Sequence, residues 1–258
     1  MDKTNTQRRV RGSLAGVVNP QEFTKELQDL LETLMDKDAT RNYQRIIPDM
    51  GKFHGVPKPI LWIIAAEIGK YIRKEPEKAA KLLKIIWAEG SFEAKQIAGK
   101  SLEKYGPKYP RICLGFVTSV LHELDNWSVC DSLAMYGVEP VVYANPELVL
   151  PMSEKWVQSA DKWVRRFGVV TLRGYKRLQA TEKVFELLAM VMEDKEEDVR
   201  KAVAWILREI TKGNPDMVAE FLVKQAQTFR SKGNKRIIKD SKKKLNDNDQ
   251  RRIIGLLE

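Results

Sequence analysis

Apolar residues recur every three or four positions along most of the chain, and that spacing predicts helices. Phe23, Leu27, Leu30, Leu31 and Leu34 form one such stripe behind Asn19-Pro20-Gln21-Glu22. There Asn caps, Pro takes a helical position whose N–H has no partner to lose, and the acid complements the helix dipole. The signature recurs at Asn145-Pro146-Glu147 and Asn214-Pro215-Asp216. Further helices are predicted from Pro57 and Pro59 to about Lys74, then over residues 77–87, 92–105, 111–121, 126–136, 161–176, 181–192 and 196–212, with two more after Lys232 and Asn246. Residues 138–143 and 168–172 look strand-like. The second lies inside a helical period and is assigned to helix; the first is left open between a helical turn and an extended linker. Residues 1–18 lack periodicity and read as a flexible arm.

Many helices with short joints and no alternating strand pattern give an all-α fold. Helix pairs recur at roughly 35–40 residues, the period of HEAT-type repeats. The expected architecture is a short, curved α-solenoid of HEAT-like repeats with one concave, basic face, spanning residues 19–258 as a single domain with basic C-terminal helices. A compact helical bundle is the alternative.

The 258 residues carry 45 Lys and Arg against 35 Asp and Glu, a net charge of +10. That excess points to a polyanionic partner, nucleic acid first. Arg8, Arg9 and Arg11 make the N-terminal arm basic, and nine cations from Lys232 to Arg252 crowd the other end. For any single cluster, a solvated surface is the simpler reading. The two cysteines, Cys113 and Cys130, sit in apolar helical contexts and read as reduced core thiols of an intracellular protein. The N-terminus lacks an apolar segment of the secretory type. The longest apolar run, Pro59 to Ala66, falls well short of the ~20 residues that span a bilayer, so no membrane contact is expected.

Several chemistries find no support. The two histidines, His54 and His122, have no Cys/His partner at metal-ligand spacing and read as structural. No Walker loop or dinucleotide fingerprint is present. No metal and no cofactor are therefore expected. What remains is Trp, Asp and Arg on helices. In Asp125-Asn126-Trp127-Ser128-Val129-Cys130-Asp131, Asp125 can cap a helix that places Trp127 and Asp131 on one face. The pair suits a buried Trp with a hydrogen-bonded carboxylate, or a site that stabilises a cation. Trp163 shares a face with Arg166, while Arg165 turns away by about 100°. One of these arginines should face the groove and the other an ion pair or solvent. Trp205 and Arg208 share a face in a later helix. Core packing is the reading for Trp62, Trp87 and Trp156.

Four stretches in register resemble the AlkD-type DNA alkylation repair glycosylases. Ile86-Trp87-Ala88-Glu89-Gly90-Ser91-Phe92-Glu93-Ala94-Lys95 is similar to the joint before that family's "E-x-x-x-A" helix. Asn126 to Asp131 matches "W-x-x-x-D", and Trp163-Val164-Arg165-Arg166 matches "W-x-x-R". Lys201 to Glu209, followed by Asn214-Pro215-Asp216, matches "K-A-x-x-W-x-L-R-E … N-P-D". The resemblance implies a monomeric glycosylase acting on double-stranded DNA with alkylated bases. It releases cationic N3- or N7-alkylpurines, with Asp131 as the catalytic carboxylate and Trp127 and Trp205 as site aromatics. It also implies Arg166, not Arg165, as the phosphate-contacting arginine and Arg208 as a further basic position. A deoxyribose and phosphate held on the concave face, with no base pocket, would be the mode of binding. Pro57 departs from the family pattern where a polar residue is expected, and Tyr43 is the nearest tyrosine to a family contact. The alternative is a protein of the same fold that binds distorted or branched DNA without excision.

Overall fold

The computed structural model describes residues 3–15, 20–47, 50–178, 182–228 and 231–258. Among them, every regular element is helical: α1 (Lys3–Ala15), α2 (Pro20–Thr33), α3 (Lys37–Ile46), α4 (Lys58–Lys74), α5 (Pro76–Ala88), α6 (Phe92–Ser101), α7 (Pro110–Val120), α8 (Trp127–Ser132), α9 (Glu139–Ala144), α10 (Pro146–Val157), α11 (Lys162–Thr171), α12 (Glu182–Met190), α13 (Glu197–Ile210), α14 (Pro215–Thr228), α15 (Lys232–Ser241) and α16 (Asp247–Gly255). A π-helical turn, Leu133–Val138, joins α8 to α9. The fold is all-α and built from HEAT-like helical repeats. Residues 138–143 are helical, which closes the question their β-branched run had raised. Asn19, the expected cap of α2, lies outside the described residues.

The chain divides into two compact units, residues 1–140 and 141–258. In the first unit, α1, α4, α6 and the π turn pack in succession as one layer, and α2, α5 and α7 as a second. Helix α4 buries Ile60, Leu61, Ile64, Ile68 and Ile72, the stripe that its sequence shows. Its crossing with α6 is close because Gly69 presents no side chain; a Cβ there would lie 2.9 Å from the Ser101 carbonyl. In the second unit, α11, α13 and α15 pack in succession, with α10, α12, α14 and α16 forming the flanking pairs. Gly168 plays the same part between α10 and α11, where a Cβ would lie 2.7 Å from the Val157 nitrogen.

The expected flexible arm is instead helix α1, docked on α4. Thr6, Val10 and Leu14 form a single buried ridge at four-residue spacing. The Arg11 guanidinium makes two bonds to the buried Glu67 carboxylate, at 2.7 and 3.1 Å. One charge of the basic arm is therefore already engaged within the protein.

Candidate functional site

The helix that carries Trp127 and Asp131 is capped by Asn126, not by Asp125. Asn126 adopts extended geometry, and its side-chain oxygen accepts from the Ser128 and Val129 N–H groups at 3.1 and 3.0 Å. Asp125 stands one residue too early to cap. It accepts from the Asn126 side-chain amide at 2.7 Å and lies 3.4 Å from the Lys95 ammonium. The buried Gln96 of α6 donates to the Ser128 carbonyl at 3.1 Å, which fixes α8 against its neighbour. On this frame Trp127 is half-buried and Asp131 is only 8% exposed.

The backbone then widens into the π turn. The Glu139 N–H bonds five residues back to the Ala134 carbonyl, and such turns often mark functional sites. Gly137 lets it seat tightly, since a Cβ would meet Leu102 at 3.2 Å and Val117 at 3.4 Å. The turn carries Tyr136 to Trp62 of α4, edge to face at 5.3 Å between ring centroids. Trp62 is thus half-buried, not the core residue that its apolar run implied. The Lys100 ammonium lies 3.9 Å from the Tyr136 ring centroid and 5.5 Å from that of Trp62. A cleft of about 160 Å³ beside these residues is lined by Trp62, Lys70, Arg73, Lys100, Lys104 and the acidic Glu103.

Lys58, the first residue of α4, completes this group. Its ammonium is 5.9 Å from the Trp62 ring. The side chain as a whole is exposed, yet burial around the ammonium lowers its pKa, an effect that the charge of Asp131 opposes. The loop leading into α4 is held by Glu93, fully buried, whose two oxygens accept from the His54, Gly55 and Val56 N–H groups at 3.0, 2.7 and 3.1 Å. The Tyr43 hydroxyl donates to the Val56 carbonyl at 2.9 Å. Burial, with the Glu93 charge, raises the Tyr43 pKa to about 12, so it stays a neutral donor at physiological pH. Tyr43 therefore braces the same loop. His54 lies 3.5 Å from the Glu89 carboxylate, and His122 is exposed.

The remaining expected site residues belong to the second unit. Asp161 caps α11, accepting from the Trp163 N–H at 2.6 Å. Arg165 pairs with Asp194 at 2.6 and 3.2 Å and donates to the Ser159 and Ala160 carbonyls, so it is committed to structure. Its neighbour Arg166 is 6% exposed and donates to the Asp198 carbonyl at 2.5 Å. Arg208 donates to the Asp240 carbonyl at 3.2 Å. Each arginine thus reaches a carbonyl 32 residues later, the same contact made at successive repeats. Trp205 is half-buried, with the Arg173 guanidinium 5.9 Å from its ring. Trp87 and Trp156 are buried as expected, at 1% and 6% exposure.

Sequence reasoning missed Lys58, Trp62, Lys100, Tyr136 and Glu93. The one local signal was the four-residue spacing of Lys58 and Trp62, which places both on one face of α4.

Fold and site together define a helical-repeat protein that gathers half-buried aromatic rings, a buried carboxylate and lysines within its first unit. Residues 27–239 match the family described as DNA alkylation repair enzyme, and the chain belongs to that family. It is similar in fold to a structure described as a predicted DNA alkylation repair enzyme from Enterococcus faecalis, with a TM-score of 0.70 at 16% identity over 83% of this chain and 97% of that one. It is also similar to AlkD2 from Streptococcus mutans, with a TM-score of 0.59 at 21% identity over 81% and 99% of the two chains. The smu.31 protein of Streptococcus mutans UA159 gives 0.54 at 22% identity, over 72% and 100%. No curated protein matches the sequence. Among the described residues, no helix is long and apolar enough to cross a membrane.

Proposed function

We propose that the protein is a DNA glycosylase that hydrolyses the N-glycosidic bond of cationic N3- and N7-alkylpurines in duplex DNA. The observation that carries this reading is the half-buried Trp127 one helical turn from the buried Asp131, on a helix fixed at its cap and along its side. Alkylation makes the base cationic and a good leaving group, so no acid is needed to protonate it. As the bond breaks, positive charge develops on the deoxyribose. A preorganised carboxylate stabilises that charge and orients the attacking water. The face of Trp127 adds cation–π attraction, on the order of 0.5–2 kcal/mol. Arg166 and Arg208 of the second unit and, separately, Arg73 and Lys104 of the cleft beside Trp62 in the first supply phosphate contacts.

The test is release of free base from a duplex carrying one N7-methylguanine, with enzyme in excess. Wild type should release it, and Asp131→Asn should be slower by at least ~100-fold, with duplex binding kept or strengthened as a negative charge leaves the phosphate-binding surface. No release by wild type, with tight binding to the same duplex, would instead assign the chain to the binders of distorted DNA.

A further inference from the structure

We propose that Lys58 is a nucleophile toward the abasic deoxyribose, giving the protein a lyase activity that cuts the DNA strand after the base has left. This rests on the glycosylase reading for its place in a reaction sequence, but not for its chemistry, which needs only an abasic site.

Placement singles out this lysine. It is the first residue of α4, its ammonium is 5.9 Å from the Trp62 ring centroid, and the charge of Asp131 reaches it. It makes no ion pair among the described residues. Its neighbours are engaged: Lys100 pairs with Glu103 at 2.9 Å, and Lys95 donates to the Glu123 carbonyl at 3.1 Å. Those contacts direct the two amines elsewhere. A nucleophilic amine must instead be neutral for part of the time and open to substrate. Lys58 is exposed, and both the burial near its ammonium and the positive end of α4 favour the neutral form. The loop that delivers it is fastened at three backbone N–H groups by Glu93.

The steps balance without an added oxidant or reductant. The Lys58 amine adds to C1′ of the ring-opened sugar, and loss of water leaves a protonated imine. The imine acidifies the C2′–H, and Asp131, the carboxylate acting on Lys58, takes that proton. The electron pair forms the C2′–C3′ double bond and expels the 3′ phosphate, breaking the strand. Water then hydrolyses the imine and returns the amine.

The experiment offers the full-length protein a duplex with one abasic site, made by removing uracil, with sodium borohydride present to reduce the imine to a stable secondary amine. Wild type should give a covalent adduct at neutral pH, and mass mapping should place it on the peptide containing Lys58. Without borohydride, the strand should break 3′ to the site. Lys58→Arg, which keeps the charge, should lose at least ~10-fold of the adduct while still binding the abasic duplex. Adduct formation should titrate below 10.5, the ordinary lysine value. Absence of adduct in wild type, or an adduct mapped to another residue, overturns the proposal. So does equal trapping by Lys58→Arg. Release of N7-methylguanine is measured separately. Base release without an adduct sinks this proposal alone, while an adduct without base release sinks the glycosylase reading alone.

Discussion

Glu93→Gln should loosen the loop that feeds the candidate site, and its cost can be worked out bond by bond. The carboxylate is fully buried and accepts three backbone N–H bonds, from His54, Gly55 and Val56. Oε1 takes the Gly55 and Val56 donors, and Oε2 takes that of His54. A glutamine keeps one oxygen, which stays with the pair of donors, and turns its NH2 toward the His54 N–H. One bond is lost and a donor faces a donor, at about 1–3 kcal/mol; the other two bonds lose their charge assistance, at about 0.5–1 kcal/mol each. The expected loss is about 3 kcal/mol, or roughly 10 °C in the transition that reports the first unit. Urea titration should show a lower midpoint at unchanged slope. Amide exchange at residues 54–56 should accelerate before the rest of the unit. A shift below about 0.5 kcal/mol, the range of ordinary surface substitutions, with unchanged exchange there would refute the assignment of Glu93 as the anchor of this loop.

Arg166→Ala should weaken duplex binding and reduce the slope of log affinity against log salt by about 1; an unchanged slope would remove Arg166 from the phosphate contacts. Docking of α1 should depend on acid: the Arg11 hydrogen bond lowers the Glu67 pKa below 4.5, so the contribution is full above that value and disappears as pH falls through the lowered one. Exchange in residues 3–15 should follow that course, and the difference between wild type and Glu67→Gln should vanish at the acid end. Gly168→Ala should cost about 1–3 kcal/mol by urea titration, because the new Cβ meets the Val157 nitrogen at 2.7 Å and the Trp156 Cβ at 2.8 Å. Burial raises the Cys113 thiol to about 12, so thiol reagents at pH 8 should leave it unmodified until the protein unfolds.

The helices with broad apolar stripes were legible because the stripe is the core contact itself. In α4, the residues that the period picks out, Ile60, Ile64, Ile68 and Ile72, are the ones that are buried. The elements that escaped lack such a stripe for distinct reasons. Helix α3 buries none of its residues; it is held by the Asp36 cap and by the Tyr43 hydroxyl on the Val56 carbonyl. Helix α1 presents a ridge one residue wide, with a threonine as one of its three members. In residues 138–143, Val138, Val141 and Val142 are fully buried at helical spacing, but a run of six residues is too short for its period to separate helix from strand.

The same distinction runs through the site. Trp127 and Asp131 share a face of α8, and spacing alone placed them together. Trp62 could not be read that way. It lies within an apolar run, where a tryptophan belongs to the core unless something across the fold needs its face. That something is Tyr136, carried to it by a turn whose extra residue per winding breaks the 3.6 period on which sequence reading depends. Lys58 and Asp131 stand 73 residues apart in the chain. The stacking of α4, α6 and α8 brings Lys58 within the electrostatic reach of Asp131, and the Glu93 carboxylate fixes where α4 begins. Local spacing thus named the carboxylate, and the tertiary fold supplied an amine that its charge reaches.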